Sequence, residues 1–326
     1  MKKKWFNLPI QFRERLEKIY GEKVAKNILF SFCEEKPTTF RANTLKTTPS
    51  ELSEKLKRAG IQFQKVSWWE NAFILEDGTL RDLTELDLYK EGYIYVQSLS
   101  SMIPPLVLEP KKDERILDIA AAPGSKTTQI AALMHNTGEI TANDNSRIRL
   151  YKLEANLQLQ GITNTKVTLG AGQTIWQKYP EYFDKVLVDV PCSMEGRFLC
   201  DDPGTFSFWS VRKIKELVER QRFLLRAGIS AAKVGGTIVY STCTLAPEEN
   251  EGVIDWILNR EKGRIQIEEV RIPKLEMSKG ILTWNEKTYH REVSKTIRIL
   301  PSHSMEGFYV AKIRKIKSNI PNAVTI

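Results

Sequence analysis

Leu117-Asp118-Ile119-Ala120-Ala121-Ala122-Pro123-Gly124-Ser125-Lys126-Thr127 is the stretch that decides the fold of this chain. An apolar run from Arg115 to Ile119 carries Asp118 near its end, passes into small residues and enters a helical stretch from Ser125 to Met134. Strand, small-residue loop and helix in that order open a parallel sheet with helices on both faces. Three alanines and a glycine let the backbone come close to a ligand, and the free N–H groups of a helix start suit a carboxylate or a sugar oxygen. A phosphate-binding loop is the weaker reading, because the stretch holds one glycine and fits neither G-x-x-x-x-G-K-[ST] nor G-x-G-x-x-G.

Toward the C-terminus the alternation continues. Glu139 to Asn143 reads as a strand, Arg147 to Gln160 as a helix, and Lys166 to Leu169 and Lys185 to Asp189 as strands. Val211 to Ala232 is a long helix, Gly235-Gly236 a tight turn, and Gly236 to Tyr240 a further strand. Ligands on such sheets sit at the carboxyl ends of the strands. Asp144 stands at one such end, where an acid can accept both ribose hydroxyls of a nucleoside, although a solvated carboxylate would read the same. Gly170-Ala171-Gly172 ends the next strand and offers backbone but no side chain for an adenine edge.

The next two strands each lead into a cysteine, in Asp189-Val190-Pro191-Cys192-Ser193 and Ser241-Thr242-Cys243-Thr244. Neighbouring strands lie about 5 Å apart, so both thiols can face one cleft. A lone thiol is more often buried structure, but two on adjacent strand ends beside a ligand loop are harder to dismiss. Pro247-Glu248-Glu249 predicts a helix start, with proline in the first turn and two acids favoured by the helix dipole.

Upstream, residues 8 to 32 predict a small helical cap, with Ile10, Leu16, Ile19, Tyr20, Val24, Ile28 and Leu29 on one face. Thr39 to Leu45 alternates like a strand, Thr48 to Gly60 is an amphipathic helix with Pro49 in its first turn, and Phe63 to Val66 and Ala72 to Leu75 read as strands. The expected organisation is therefore a small α+β module over residues 1–100 and a larger α/β domain over residues 101–326.

The 326 residues are 41% hydrophobic and 27% charged, enough for a sizeable core, and no apolar run nears the roughly 20 residues of a membrane-spanning helix. The basic start lacks the apolar stretch of a signal peptide, which predicts a cytoplasmic protein. Lysine plus arginine exceed aspartate plus glutamate by 49 to 40, a balance that suits a polyanionic partner. Arg212, Lys213, Lys215, Arg220, Arg222 and Arg226, and likewise Lys312, Arg314 and Lys315, read either as phosphate contacts or as solvated faces, and Trp68-Trp69 either as a base-stacking pair or as core. The tail after Lys312 is expected to fray. Cys33, Cys192, Cys200 and Cys243 show no C-x-x-C spacing and the three histidines are scattered, which predicts neither a zinc site nor a disulfide framework.

Several of these segments together resemble one family. They are Phe40-Arg41-Ala42-Asn43-Thr44, Tyr95 to Met102, Asp118 to Thr127, Asp189 to Gly196, Ser241 to Thr244 with Glu248-Glu249-Asn250-Glu251, and Met305 to Lys312. In order and wording they are similar to the NOL/NOP/Sun family of RNA cytosine-5 methyltransferases, also called the Fmu or NSUN family. Within it the wording is most like the bacterial small-subunit ribosomal RNA branch, without that branch's extra C-terminal sequence.

The resemblance implies a Rossmann-type S-adenosylmethionine-dependent methyltransferase domain behind a small α+β RRM-like, RNA-binding module. Cys243 would be the covalent nucleophile and Cys192 would assist product release. Ala120, Ala121, Ala122, Pro123, Gly124, Ser125, Lys126 and Asp144 would hold S-adenosylmethionine, with Lys126 near the active site and Asp189 contacting base or cofactor. Ala171 stands where the family usually has an aspartate that reads the adenine amino group, and Met194 where it usually has glycine. The chemistry agrees with the thiols: carbon 5 of cytosine is a poor nucleophile until a thiolate adds at carbon 6, whereas methylating an exocyclic nitrogen needs no cysteine. Ribosomal RNA is the expected substrate and a monomer the expected state, with no metal and no membrane partner. Transfer RNA as substrate, or a non-catalytic RNA-binding assembly factor, are the alternatives.

Overall fold

The computed structural model describes residues 4–320. Two helices open the chain, α1 (Ile10–Tyr20) and α2 (Glu22–Ser31). The single helical run expected over residues 8 to 32 is interrupted at Gly21, whose φ of 76° is a conformation that glycine adopts without steric cost. Both helices pack Phe12, Leu16, Ile28 and Phe32 against Phe198, Cys200 and Leu245, far along the chain.

A β-α-β-β-α-β unit follows: β1 (Thr39–Ala42), α3 (Pro49–Arg58), β2 (Phe63–Lys65), β3 (Ala72–Leu75), α4 (Leu80–Glu85), the short α5 (Asp87–Lys90) and β4 (Ile94–Val96). A capping box starts α3, with Thr48 Oγ1 accepting from Glu51 N–H and Glu51 accepting from Thr48 N–H. The strands form an antiparallel sheet in the order β2-β3-β1-β4. Its alternation sorts the faces cleanly. Phe40, Ala42, Phe73, Leu75 and Ile94 pack with Leu52 and Leu56 of α3, whereas Ala72 and Ile74 join the core of the larger domain.

The larger domain runs α6 (Ile103–Leu108), β5 (Arg115–Asp118), α7 (Ser125–Leu133), β6 (Glu139–Asp144), α8 (Arg147–Gln160), β7 (Thr165–Leu169), α9 (Ile175–Lys178), β8 (Phe183–Asp189), α10 (Val211–Ala231), β9 (Ala232–Thr242) and α11 (Glu251–Arg260). After these come β10 (Ile265–Glu268), β11 (Ser278–Lys279), a ribbon of β12 (Thr283–Trp284) and β13 (Lys287–Thr288), β14 (Ile297–Ile299) and β15 (Phe308–Lys315). Strands β7-β6-β5-β8-β9 are parallel, and β15 then adds antiparallel to β9 and continues to β14 and β11, with β10 also on β15. The strand order reverses between β5 and β8, which makes their carboxyl ends the crevice of this doubly wound sheet.

Four expectations are corrected. Gly235-Gly236 does not precede the fifth parallel strand but lies inside β9, at an irregularity where Ala232 pairs Phe183 and Thr237 pairs Lys185. The tail does not fray after Lys312, since β15 runs to Lys315, whose buried ammonium donates to the Ile229 and Ala232 carbonyls; residues 321–326 lie outside the described residues. Lys312, Arg314 and Lys315 are therefore not a phosphate grip, being paired with Glu109, Glu268 and Glu181. Cys33 and Cys200 form a disulfide although 167 residues separate them, a pairing that only the docking of α2 on the segment around Phe198 brings about. Among the described residues no helix is long and apolar enough to cross a membrane, and no group of His, Cys, Asp or Glu could hold a metal ion.

Arg298 of β14 is buried with its Nε and Nη2 on the two Glu251 oxygens at 2.6 and 2.5 Å, and its Nη1 donates to Tyr20 Oη and the Leu245 carbonyl. Removing one member of a buried pair strands the other's charge, at a cost of about 3–5 kcal/mol. Glu251→Ala is accordingly expected to lower unfolding free energy by about that amount in urea titration, and Glu251→Gln by less, because the amide still accepts.

Candidate active site

A cleft of about 290 Å³ opens at the carboxyl ends of β5 and β8. Asp118, Ala120 to Pro123, Ser125 and Lys126 form one wall, Asp189, Val190 and Cys243 a second, and Gln97, Ser98, Ser101, Arg197, Glu306 and Phe308 the third. The small-residue loop comes this close because Ala121 N–H donates to the Asn143 carbonyl at 2.7 Å and Gly124 N–H to the Ala121 carbonyl at 2.8 Å. Gly124 has a φ of 106°, and an added Cβ would meet Leu153 at 2.6 Å, so the turn into α7 requires glycine. The Ala122–Pro123 peptide is cis.

Parallel pairing of β8 with β9 sets Asp189 opposite Ser241, and the two loops beyond bring Cys192 Sγ to 3.3 Å from Cys243 Sγ. Of the two sulfurs, Cys243 lines the cleft. Contact with Cys243, followed by burial, pushes the Cys192 thiol well above its ordinary range, which keeps a proton on Cys192. Lys126 Nζ lies 2.7 Å from Asp189 Oδ2 and donates to Ser101 Oγ at 2.9 Å, while Ser241 Oγ donates to Asp189 Oδ1 at 2.6 Å. Arg197, held by Glu306 at 3.2 Å, brings a second cation to the same cleft.

Asp144 lies deeper than a solvated strand-end acid. It accepts from Ala122 N–H at 3.3 Å and Ser146 N–H at 3.0 Å, and Arg149 Nη1 sits 3.2 Å from its Oδ2. The half-exposed Arg149 also donates to the Ala122 carbonyl, tying the small-residue loop to α8. Ala171 is exposed at the end of β7 and contributes no side-chain acceptor; the neighbouring Gly172 is pressed against Leu224 and the Ile119 carbonyl, where a Cβ would sit 2.8 and 3.0 Å away. Met194 adopts φ 56°, a left-handed conformation that costs a side-chain-bearing residue about 1–2 kcal/mol and explains the glycine usual there in the family.

Several residues stand in quoted segments, but their part in the site carried no legible signal. Asp118 is fully buried, accepts from Thr127 Oγ1 at 2.7 Å through one oxygen and leaves Oδ1 without a partner. Burial pushes its carboxyl up to about 7. Gly196 N–H donates to the Cys243 carbonyl at 3.0 Å and Gly307 N–H to the Gly196 carbonyl at 2.9 Å; a Cβ on Gly196 would meet the Gly307 carbonyl at 2.1 Å. The two glycines thus clamp both cysteine loops to the segment before β15.

The helix start expected at Pro247 is also corrected, since α11 begins at Glu251 and the preceding acids turn inward. Glu248 receives both Arg15 Nη atoms at 3.0 and 2.7 Å. Glu249 accepts from Ser193 N–H at 3.0 Å, from Ser193 Oγ, and from Gln221 Nε2 at 2.6 Å, and Gln221 also holds the Pro191 carbonyl. Asn250 accepts from Thr242 Oγ1 at 2.6 Å and donates to the Thr244 carbonyl at 2.9 Å. Ser193 and Thr244 hydroxyls meet at 2.7 Å between Glu249 and a second buried acid, Glu195, which is held by Trp209 and Thr244.

Burial pushes Glu249 up to about 8, so the folded protein keeps this carboxyl protonated near neutrality. A folded pKa above the unfolded one gives stability that is complete below about pH 4.5 and is lost as pH rises toward 8. Glu249→Gln keeps the hydrogen-bonding shape without the titration. Relative to wild type, its stability should rise across that window by at most about 1.4 kcal/mol per pH unit, read from urea midpoints at pH 5 to 8; parallel pH profiles for the two proteins would contradict this.

Residues 105–314 match the family described as 16S rRNA methyltransferase RsmB/F, and residues 8–99 match the N-terminal domain of 16S rRNA methyltransferase RsmF. The chain is 41% identical over 281 residues to the tRNA (cytosine(49)-C(5))-methyltransferase of Pyrococcus abyssi, covering 85% of this chain and 88% of that protein. It is 34% identical over 323 residues to ribosomal RNA small subunit methyltransferase F of Pectobacterium carotovorum, covering 97% of this chain and 64% of that protein, so it spans less than two thirds of the latter. Among solved structures, a methyltransferase homologue from Pyrococcus horikoshii superposes with a TM-score of 0.82 at 33% identity over 97% of this chain and 99% of that one. NSun6 from the same organism, solved with SFG, gives 0.81 at 26% identity over 95% and 99%. With that fold, that cleft and matches over both modules, the chain belongs to the RsmB/F family of S-adenosylmethionine-dependent RNA methyltransferases.

Proposed function

We propose that this chain methylates carbon 5 of a cytosine in RNA through a transient bond from Cys243 to carbon 6. The observation that carries the reading is the pair of sulfurs 3.3 Å apart at the strand ends, with Cys243 on the cleft wall beside the Lys126–Asp189 pair. S-adenosylmethionine, the family's cofactor, supplies an electrophilic methyl group. The residues present fit it: the loop from Ala120 to Ser125 offers close backbone, Asp144 retains acceptor capacity for ribose, and the orphaned Asp118 Oδ1 offers a buried acceptor on the cleft wall.

The Cys243 thiol gives up its proton as its sulfur bonds to carbon 6, the carbon 5–carbon 6 electron pair moves toward carbon 5, and that proton ends on ring nitrogen 3. Asp189, paired with Lys126 at 2.7 Å and accepting from Ser241 Oγ at 2.6 Å, carries that proton from the thiol to nitrogen 3, and Lys126 balances the charge. Carbon 5 takes the methyl group and then loses its proton to a base, the carbon 5–carbon 6 double bond re-forms as the carbon–sulfur bond breaks, and nitrogen 3 returns its proton to Asp189. Cys192 keeps its proton and faces the departing sulfur, so it donates to the leaving thiolate.

Ribosomal RNA is the proposed substrate, supported by the two family matches over residues 8–99 and 105–314, with the chain acting in the cytoplasm as a monomer. Transfer RNA is the second reading, favoured by the 88% coverage of the P. abyssi relative. Bisulfite sequencing of total RNA from a deletion strain separates them by the cytosine that loses its methyl group.

Cys243→Ala is expected to abolish methyl transfer from labelled S-adenosylmethionine while circular dichroism stays unchanged; an active variant removes the nucleophile from Cys243. Cys192→Ala should accumulate a covalent protein–RNA adduct that runs slowly on a denaturing gel. Ala171→Asp restores an acceptor for the adenine amino group at an exposed position, and one such hydrogen bond, about 1 kcal/mol, predicts about five-fold tighter S-adenosylmethionine binding by calorimetry.

A further inference from the structure

A cavity of about 650 Å³ lies outside the cleft. It falls within the roughly 300–1,000 Å³ range of small-ligand sites. It forms where the edge strand β2 and the turn after it meet the segment 274–278 and the chain leaving β14. Val66, Ile299 and Met305 make an apolar floor, and the half-buried Trp68 indole supplies an aromatic face. Lys65 and Lys274 stand exposed on its lining and form no ion pair among the described residues, against one acid, Glu276. Lys274 has φ 65°, a left-handed backbone that a side-chain-bearing residue adopts at a cost, as ligand-binding segments often do.

One wall separates this cavity from the catalytic cleft. Ser98 Oγ donates to Glu306 Oε2 at 3.0 Å and Ser100 Oγ to the Glu306 carbonyl at 2.7 Å. Ser98 and Glu306 line the cleft, while their neighbours Leu99 and Met305 line the cavity. The face on which RNA-recognition modules stack bases is not free here. Arg41 of β1 is buried, donating to Gln97 Oε1 at 2.8 Å and Thr128 Oγ1 at 2.8 Å, and Ala72 and Ile74 lie in the catalytic core. An RNA strand leaving the cleft over that wall therefore meets an aromatic, lysine-rimmed hollow rather than an open sheet.

We propose that this cavity receives an unpaired base of the substrate RNA next to the target cytosine, stacked on Trp68 with its phosphates met by Lys65 and Lys274. The inference rests on the RNA methyltransferase reading above. Trp68 gives stacking without base identity, and Ser67 and Ser304 on the lining offer hydroxyls to a base edge.

The test uses the full chain and total RNA from the deletion strain, with methyl transfer from tritiated S-adenosylmethionine. The double variant Lys65→Glu with Lys274→Glu, both exposed and outside the catalytic machinery, should raise KM for RNA about ten-fold while kcat and S-adenosylmethionine affinity stay unchanged, since two phosphate contacts become repulsions. Trp68→Ala should raise KM similarly and Trp68→Phe should recover most of it, whereas a merely structural Trp68 would lower thermal stability without a KM change. RNA carrying 4-thiouridine should photo-crosslink to peptides containing residues 64–68 or 274–278. An unchanged KM in the lysine variant, or crosslinks confined to other peptides, overturns the proposal. Absence of methyl transfer by wild type would instead overturn the enzyme reading itself.

Discussion

Two sulfurs held 3.3 Å apart at the ends of neighbouring parallel strands are the constraint on which this structure turns. Strand pairing alone places the ends of β8 and β9 side by side, but the loops that follow are irregular and full of backbone groups that need partners. The four residues Glu248 to Glu251 answer that need. One ties the site to α1 through Arg15, the next braces the Cys192 loop, the third the Cys243 loop, and the last pairs with Arg298. Each contact is buried or half-buried, where an unmade hydrogen bond is expensive. The site is therefore rigid for reasons that lie behind it, away from the cleft.

The smaller sheet contributes to the same rigidity. Arg41 crosses from β1 to the start of α7 with no carboxylate beside it, and burial lowers its pKa to about 10. It is satisfied by Gln97, Thr128 and the Ser125 carbonyl, so the module is joined to the helix that carries Lys126 by neutral hydrogen bonds. The helical pair at the N-terminus does the equivalent on the opposite flank, through Arg15, Tyr20 and the Cys33–Cys200 bridge.

Much of this was readable in advance where local periodicity is strong. The helix over Arg147 to Gln160 and the strand over Ala72 to Leu75 fall where their patterns predict. β4 carries only three residues, all of them aromatic or β-branched and too few to show an alternation, and was not legible. The helix start at Pro247 failed because acids after a proline look the same whether they face a helix dipole or point into a buried network. Asp118 could be placed at a strand end, yet nothing local marks its unpartnered oxygen.

From the order of its residues alone this chain determined its strand–helix alternation, its small-residue loop at Ala120 to Ser125 and the presence of two cysteines at successive strand ends, because those features follow from backbone geometry and side-chain period. Only the tertiary structure decided which thiol faces the cleft, which acids are buried enough to hold protons, that Cys33 reaches Cys200, and that the open face of the first sheet is covered. Those outcomes depend on groups tens to hundreds of residues apart meeting in a low-dielectric interior, and no local pattern encodes such a meeting.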